Sequence, residues 1–173
     1  ERINDVAAQL QKEIREQYDE PEAVIRGDDV DALGGNALTT ESTAKVIALL
    51  NSAPNGVQSW SEDIEGLVQT SVNRGVIEAS CHKMQGVFSI RSSVGTERDA
   101  LAEQIVSVVE KFGGKAEPVN EYPAWEYRKD SALRELMVET FCDMYGRKPE
   151  VVAIHAGLEC GILSEKLPGL DAV

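Results

Sequence analysis

Two histidines (His82, His155) and three cysteines (Cys81, Cys142, Cys160) are the side chains of this 173-residue sequence best suited to proton transfer, nucleophilic attack or soft-metal binding. His82 adjoins Cys81 in a stretch that reads as a hairpin turn, an ordinary place for an exposed polar residue. His155 directly follows the apolar run 151–154. That puts it at the carboxyl end of a predicted buried strand, where open α/β sheets gather their ligands. Two readings of His155 stand: a ligand contact, or a structural histidine satisfied within the fold.

His155, Glu159 and Cys160 have the residue types of a zinc site. Gly157 and Gly161 point instead to a loop, and ligands clustered in one loop do not make a closed tetrahedral set. Cys160 as a nucleophile would need a base and an orienting group, and the sequence supplies no evident orienting Asn or Asp. A small buried thiol is the better reading. The glycines of His-Ala-Gly-Leu-Glu-Cys-Gly (155–161) either admit a ligand close to the backbone or serve a tight turn. Arg91 offers a planar fork suited to a carboxylate, from a strand position facing away from the core; a solvated surface arginine is its other reading. Asp28, Asp29 and Asp31 lack the regular spacing and closing Glu of a calcium loop. The chain is therefore expected to contain neither a complete metal site nor a catalytic residue.

Composition narrows the partners. Lys+Arg number 17 against 30 Asp+Glu, a formal net charge of −13. Such a surface repels phosphate, so nucleic acid and anionic membrane are not expected partners. No stretch approaches the roughly 18 consecutive apolar residues of a membrane span, and no basic-then-apolar start marks a signal peptide. Three cysteines without C-x-x-C spacing suit a reducing, cytoplasmic setting. The chain opens inside an amphipathic pattern without an initiator Met, as a segment of a longer protein would.

The elements that must hold these residues follow from periodicity. Ile3, Val6, Leu10 and Ile14 share a helical face. Residues 23–25 are a short strand candidate and 27–38 a loop. Thr39 or Thr40 caps a second helix with Val46, Ile47, Leu49 and Leu50 on its apolar face, stopped at Pro54-Asn55-Gly56. Residues 67–81 and 87–93 alternate as strands around a turn at 82–86. Thr96-Glu97-Arg98-Asp99 resembles a capping box, opening a helix with the stripe Leu101, Ile105, Val108 and Phe112 that stops at Gly113-Gly114. Residues 115–119 are a last strand. The sum is α+β: one helix, then the β-α-β-β-α-β order of ferredoxin-like folds. After a connector at 121–125, a helix from Asp130 or Ser131 to Gly146 is expected to bury Leu133, Leu136, Met137, Phe141 and Met144. The strand at 151–154 then looks like part of an α/β sheet.

Several segments together resemble the aminoacyl-histidine (Xaa-His, carnosinase-like) dipeptidases, a branch of the di-zinc exopeptidases. They are Asn51-Ser52-Ala53-Pro54-Asn55-Gly56-Val57, Gln69-Thr70-Ser71-Val72-Asn73-Arg74-Gly75-Val76, Ser89-Ile90-Arg91-Ser92, Tyr122-Pro123-Ala124-Trp125, and residues 154–161. Their order and spacing match from about Ala44 onward, with the last segment the most specific.

The resemblance implies that residues 1–120 belong to a lid domain that also mediates homodimerisation. It makes 121–173 the start of the returning α/β catalytic domain. It gives Arg91 the grip on the free carboxylate of a dipeptide substrate, and puts His155 and Gly157 on the wall of the substrate pocket. It implies a cytoplasmic hydrolase with two zinc ions. The family's His-x-Asp motif, bridging Asp, Glu-Glu pair, further Asp and final His have no counterpart here, so this segment alone is expected to be inactive. The alternative is a non-catalytic ferredoxin-like module for dimerisation or small-ligand binding.

Overall fold

The structure, a computed structural model, describes residues 2–26, 37–80, 82–156 and 159–173. Of the sequence expectations, the loop reading of 27–36 and the residues Cys81 and Gly157 lie outside those described. The chain forms two compact units, residues 1–37 and 38–173.

The first unit carries α1 (Arg2–Gln17). The Arg15 Nε donates to the Ala23 carbonyl at 2.8 Å, and the Ile25 N–H donates to the Gln11 side chain at 2.9 Å. Residues 23–25 thus hydrogen-bond to the helix and pair with no strand. An extended pattern encodes backbone shape, whereas a strand also needs a neighbour to take its N–H and C=O groups. Ile3, Val6 and Leu10 remain exposed.

In the second unit α2 (Thr40–Ser52) begins where Thr39 accepts a hydrogen bond from the Ser42 N–H at 3.1 Å, so Thr39 is the cap. Gly56, at φ +83°, turns the chain after Pro54 and Asn55. Three antiparallel strands follow in the order β1-β2-β3: β1 (Gly56–Trp60), β2 (Val68–Ala79) and β3 (Met84–Ser92). β2 gives way to β3 between Ser80 and Lys83, slightly earlier than expected, with the Ser80 hydroxyl accepting from the Lys83 N–H at 3.1 Å. β1 is a strand that the sequence reading did not assign. The ladder slips between Arg74 and Val76, leaving Gly75 as a bulge.

Alternation along this hairpin sorts its residues between two faces. Val72 and Ile90 are directly paired, and with Phe88 they pack on Leu101, Ile105 and Val109 of α3 (Gly95–Lys111). Leu101 and Ile105 of the expected stripe are buried, and the helix stops just before Gly113-Gly114, as expected. The capping box does not form: Val94 is the cap and has no side-chain hydrogen bond. Glu97 instead reaches across to the sheet. It accepts from Ser59 of β1 at 2.6 Å, from Gln69 of β2 at 2.6 Å and from the buried Thr70 hydroxyl. These donors, Ser59 foremost and then Thr70, hold its carboxyl below the usual 4.5 against the opposing cost of burial. One carboxylate thereby ties two strands to the start of α3.

No regular secondary structure occurs at 115–119 or 151–154, so the described strands number three and the full β-α-β-β-α-β order is not seen among them. The α+β character stands. α4 (Ala132–Tyr145) starts at its Ser131 cap and ends at a left-handed Gly146, as expected. It does not bury its apolar residues: Leu133, Leu136, Met137 and Met144 are exposed. Val151, Val152 and Ile154 are exposed as well. Residues 159–161 are not loop but open a last helix, α5 (Glu159–Lys166).

Candidate functional site

The face of the β2–β3 hairpin opposite α3 carries the candidate chemistry. Ser71 and Arg91 are directly opposed across the ladder, one position along from the core pair Val72 and Ile90, so both point away from α3. Arg91 is exposed, as its surface reading required, yet it does not stand alone. The His155 ring comes onto this face, with its Nε2 2.8 Å from the Ser71 hydroxyl. Two of the candidates picked from the sequence, Arg91 and His155, are thus brought together although 64 positions separate them (155 − 91). Both border one wide cleft, along with Tyr122, Pro123 and Trp125 of the connector.

Burial lowers the His155 pKa below its ordinary 6.5, and the neighbouring Arg91 cation lowers it further; a hydrogen bond to the Val68 backbone opposes them. Near pH 7 the ring is therefore neutral. It can accept or donate a hydrogen bond without adding a second positive charge beside the guanidinium. A cation with a fixed fork and a neutral imidazole on the same wall suit a carboxylate-bearing ligand.

The connector is anchored to the opposite side of the hairpin: Arg98 of α3 donates from its Nη1 to the Tyr122 carbonyl at 2.7 Å. No family model matches the chain. Over 137 residues, 79% of its length, it is 34% identical to the cytosol non-specific dipeptidase of Escherichia coli (strain K12), of which it spans 28%. The crystal structure of aminoacylhistidine dipeptidase from Vibrio alginolyticus matches 95% of the chain with a TM-score of 0.85 at 31% identity, and the chain spans 33% of that protein. The chain is homologous to these dipeptidases.

The dipeptidase homologue thus covers about a third of its relatives' length. The remaining sequence candidates do not join the site. His82 is exposed in the hairpin turn. Cys142 and Cys160 are free and half-buried. Among the described residues no three His, Cys, Asp or Glu side chains come together to hold a metal, and His155, Glu159 and Cys160 make no such group. No described helix is long and apolar enough to cross a membrane.

Two contributors escaped the sequence reading. Ser71 looked like one polar residue among several in an alternating strand. Gly161, the last glycine of the 155–161 run, is not used to admit a ligand. It is buried in α5, where a Cβ would stand 2.7 Å from the Pro123 carbonyl oxygen and 3.5 Å from that of Ala124. Glycine there lets α5 seat directly on the backbone of the connector. Its cost inside a helix, up to about 1 kcal/mol, is offset by that contact. Gly161→Ala should destabilise the chain by about 1–3 kcal/mol through overpacking, measured by urea unfolding. An unchanged midpoint would show that α5 does not sit against the connector in solution.

Proposed function

We propose that this chain is the lid and the first returning part of the catalytic domain of a cytoplasmic zinc dipeptidase that hydrolyses Xaa-His dipeptides. The observation that carries the reading is the convergence of Arg91, His155 and Ser71 on one sheet face in a chain homologous to dipeptidases. Residues 1–120 form the lid, through which two copies associate, and residues 121–173 return into the α/β catalytic domain. Arg91 grips the terminal carboxylate of the dipeptide through paired N–H donors. His155 flanks that carboxylate as a neutral hydrogen-bonding group, and Gly157 brings backbone polar groups to the pocket edge.

The described residues do not fit a zinc ion, for want of a three-ligand group. The two zinc ions of the proposed enzyme are held elsewhere in the full-length polypeptide, where they activate the attacking water. The part played by this segment is to bind and orient the substrate, and productive orientation alone can supply a large share of a rate enhancement.

The test is to assay the 173-residue chain and the full-length polypeptide side by side on Xaa-His dipeptides and on their C-terminal amides. Hydrolysis is expected from the full-length protein only, with the free acids strongly preferred. Turnover by the segment alone, or equal turnover of acids and amides, would overturn the proposal.

A further inference from the structure

Ser71 has no place in the carboxylate grip as stated above, yet its hydroxyl lies 2.8 Å from the His155 Nε2. It also stands directly across the ladder from Arg91. Resting on the dipeptidase reading, we propose that Ser71 is a positioning residue, whose hydroxyl fixes the His155 ring and so sets its spacing from Arg91.

Three features of the geometry support this assignment. First, Ser71 lies on β2, the middle strand of the sheet, paired on both sides, at Val57 and at Arg91. Its backbone is therefore held far more firmly than a loop residue would be. Second, the opposite face is locked: the neighbouring Thr70 hydroxyl is buried and bound to Glu97, and Val72 lies in the core. The orientation of Ser71 is thus imposed by what its two neighbours do. Third, the 151–154 stretch before His155 has no ladder partner among the described residues. Its docking on this face accordingly depends on side-chain contacts, among which Ser71 to His155 is the polar one with defined geometry.

The hydrogen bond also holds the ring in one orientation. A neutral imidazole carries one N–H. Whichever ring nitrogen carries it, Nε2 has a partner in the Ser71 hydroxyl, which accepts from Nε2–H or donates to a bare Nε2. Serine at position 71 thus orients the ring beside the Arg91 fork.

The contact is tested in the 173-residue chain labelled with 15N, by two-bond proton–nitrogen spectra of the histidine rings above pH 7, with the exposed His82 as internal reference. Wild type should show His155 with ring-nitrogen shifts clearly distinct from those of His82. Ser71→Ala should move its nitrogens toward the averaged values of His82, and Ser71→Thr, which keeps the hydroxyl, should restore them. In the full-length enzyme Ser71→Ala should raise KM for an Xaa-His dipeptide by about three- to tenfold with kcat nearly unchanged, again restored by Ser71→Thr. His155 nitrogens that ignore Ser71→Ala would overturn the proposal. So would a KM that ignores Ser71→Ala in an enzyme whose KM responds to Arg91→Ala. A KM that ignores Arg91→Ala overturns the carboxylate grip instead, and the ring nitrogens then decide for or against Ser71.

Discussion

On the proposed function, Arg91→Ala in the full-length protein is expected to lower kcat/KM for an Xaa-His dipeptide by on the order of a hundredfold, mostly through KM. The loss follows from removing a charge-assisted, two-pronged contact to the substrate carboxylate. An exposed arginine pair in open water would contribute far less, because solvent and salt screen it. The large figure therefore rests on the cleft face being covered when substrate is bound. Two comparisons isolate the cause. Arg91→Lys keeps the charge and loses the fork, so it should fall between wild type and alanine. A C-terminal amide substrate has no carboxylate, so wild type and Arg91→Ala should cleave it at similar low rates. A hundredfold loss on the amide as well would mean that Arg91 acts on the fold and not on the carboxylate.

The same substitution has a consequence that needs no activity. Burial is the first cause of the lowered His155 pKa, and the Arg91 cation is the second. Arg91→Ala should move His155 back toward 6.5 without reaching it, since burial remains. A His155 titration identical in wild type and variant would separate the two residues in solution and remove the site.

Leu101→Ala should destabilise the second unit by about 2–4 kcal/mol, read as a drop in the urea midpoint at constant slope. Leu101 is only 6% exposed and packs in the small cluster of Val72 and Ile105, flanked by Phe88, Ile90 and Val109. The cluster is the sole buried apolar nucleus described between α3 and the sheet, so a cavity there has few neighbours able to collapse into it. Because Ile90 adjoins Arg91 and Val72 adjoins Ser71, the same cluster holds the site in place from behind. Leu136→Ala is the control: Leu136 is 58% exposed on α4, and its truncation should cost within about 0.5 kcal/mol. Equal effects at the two positions would contradict the placement of the core.

Much of the second unit could be read before any coordinates. Helices α2 and α4 lie where capping residues and turn or glycine stops placed them, and α3 where its apolar stripe and stop glycines did, because those signals act over a few residues of chain. The two long strands of the hairpin were legible for the same reason. Arg91 and His155 could be picked as candidates from residue type and position alone. The strands expected at 23–25, 115–119 and 151–154 failed to form because pairing depends on a partner that local pattern does not name. The burial expected for α4 failed likewise, since an amphipathic face announces that it wants cover without saying what covers it.

The site itself turns on a single slip of the ladder. Counting back from the Ala79–Met84 pair without a bulge would set Arg91 opposite Val72 in place of Ser71. The bulge at Gly75 shifts the register by one, so Arg91 meets Ser71 on the far face, where His155 docks. A one-residue shift reverses every side chain on a strand. Residue types and helix limits were thus written locally along the chain. Which residue meets the arginine across the ladder, and which histidine joins it, came from long-range packing: the core on Leu101, the Glu97 tie to two strands, and the seat of Gly161 on the connector.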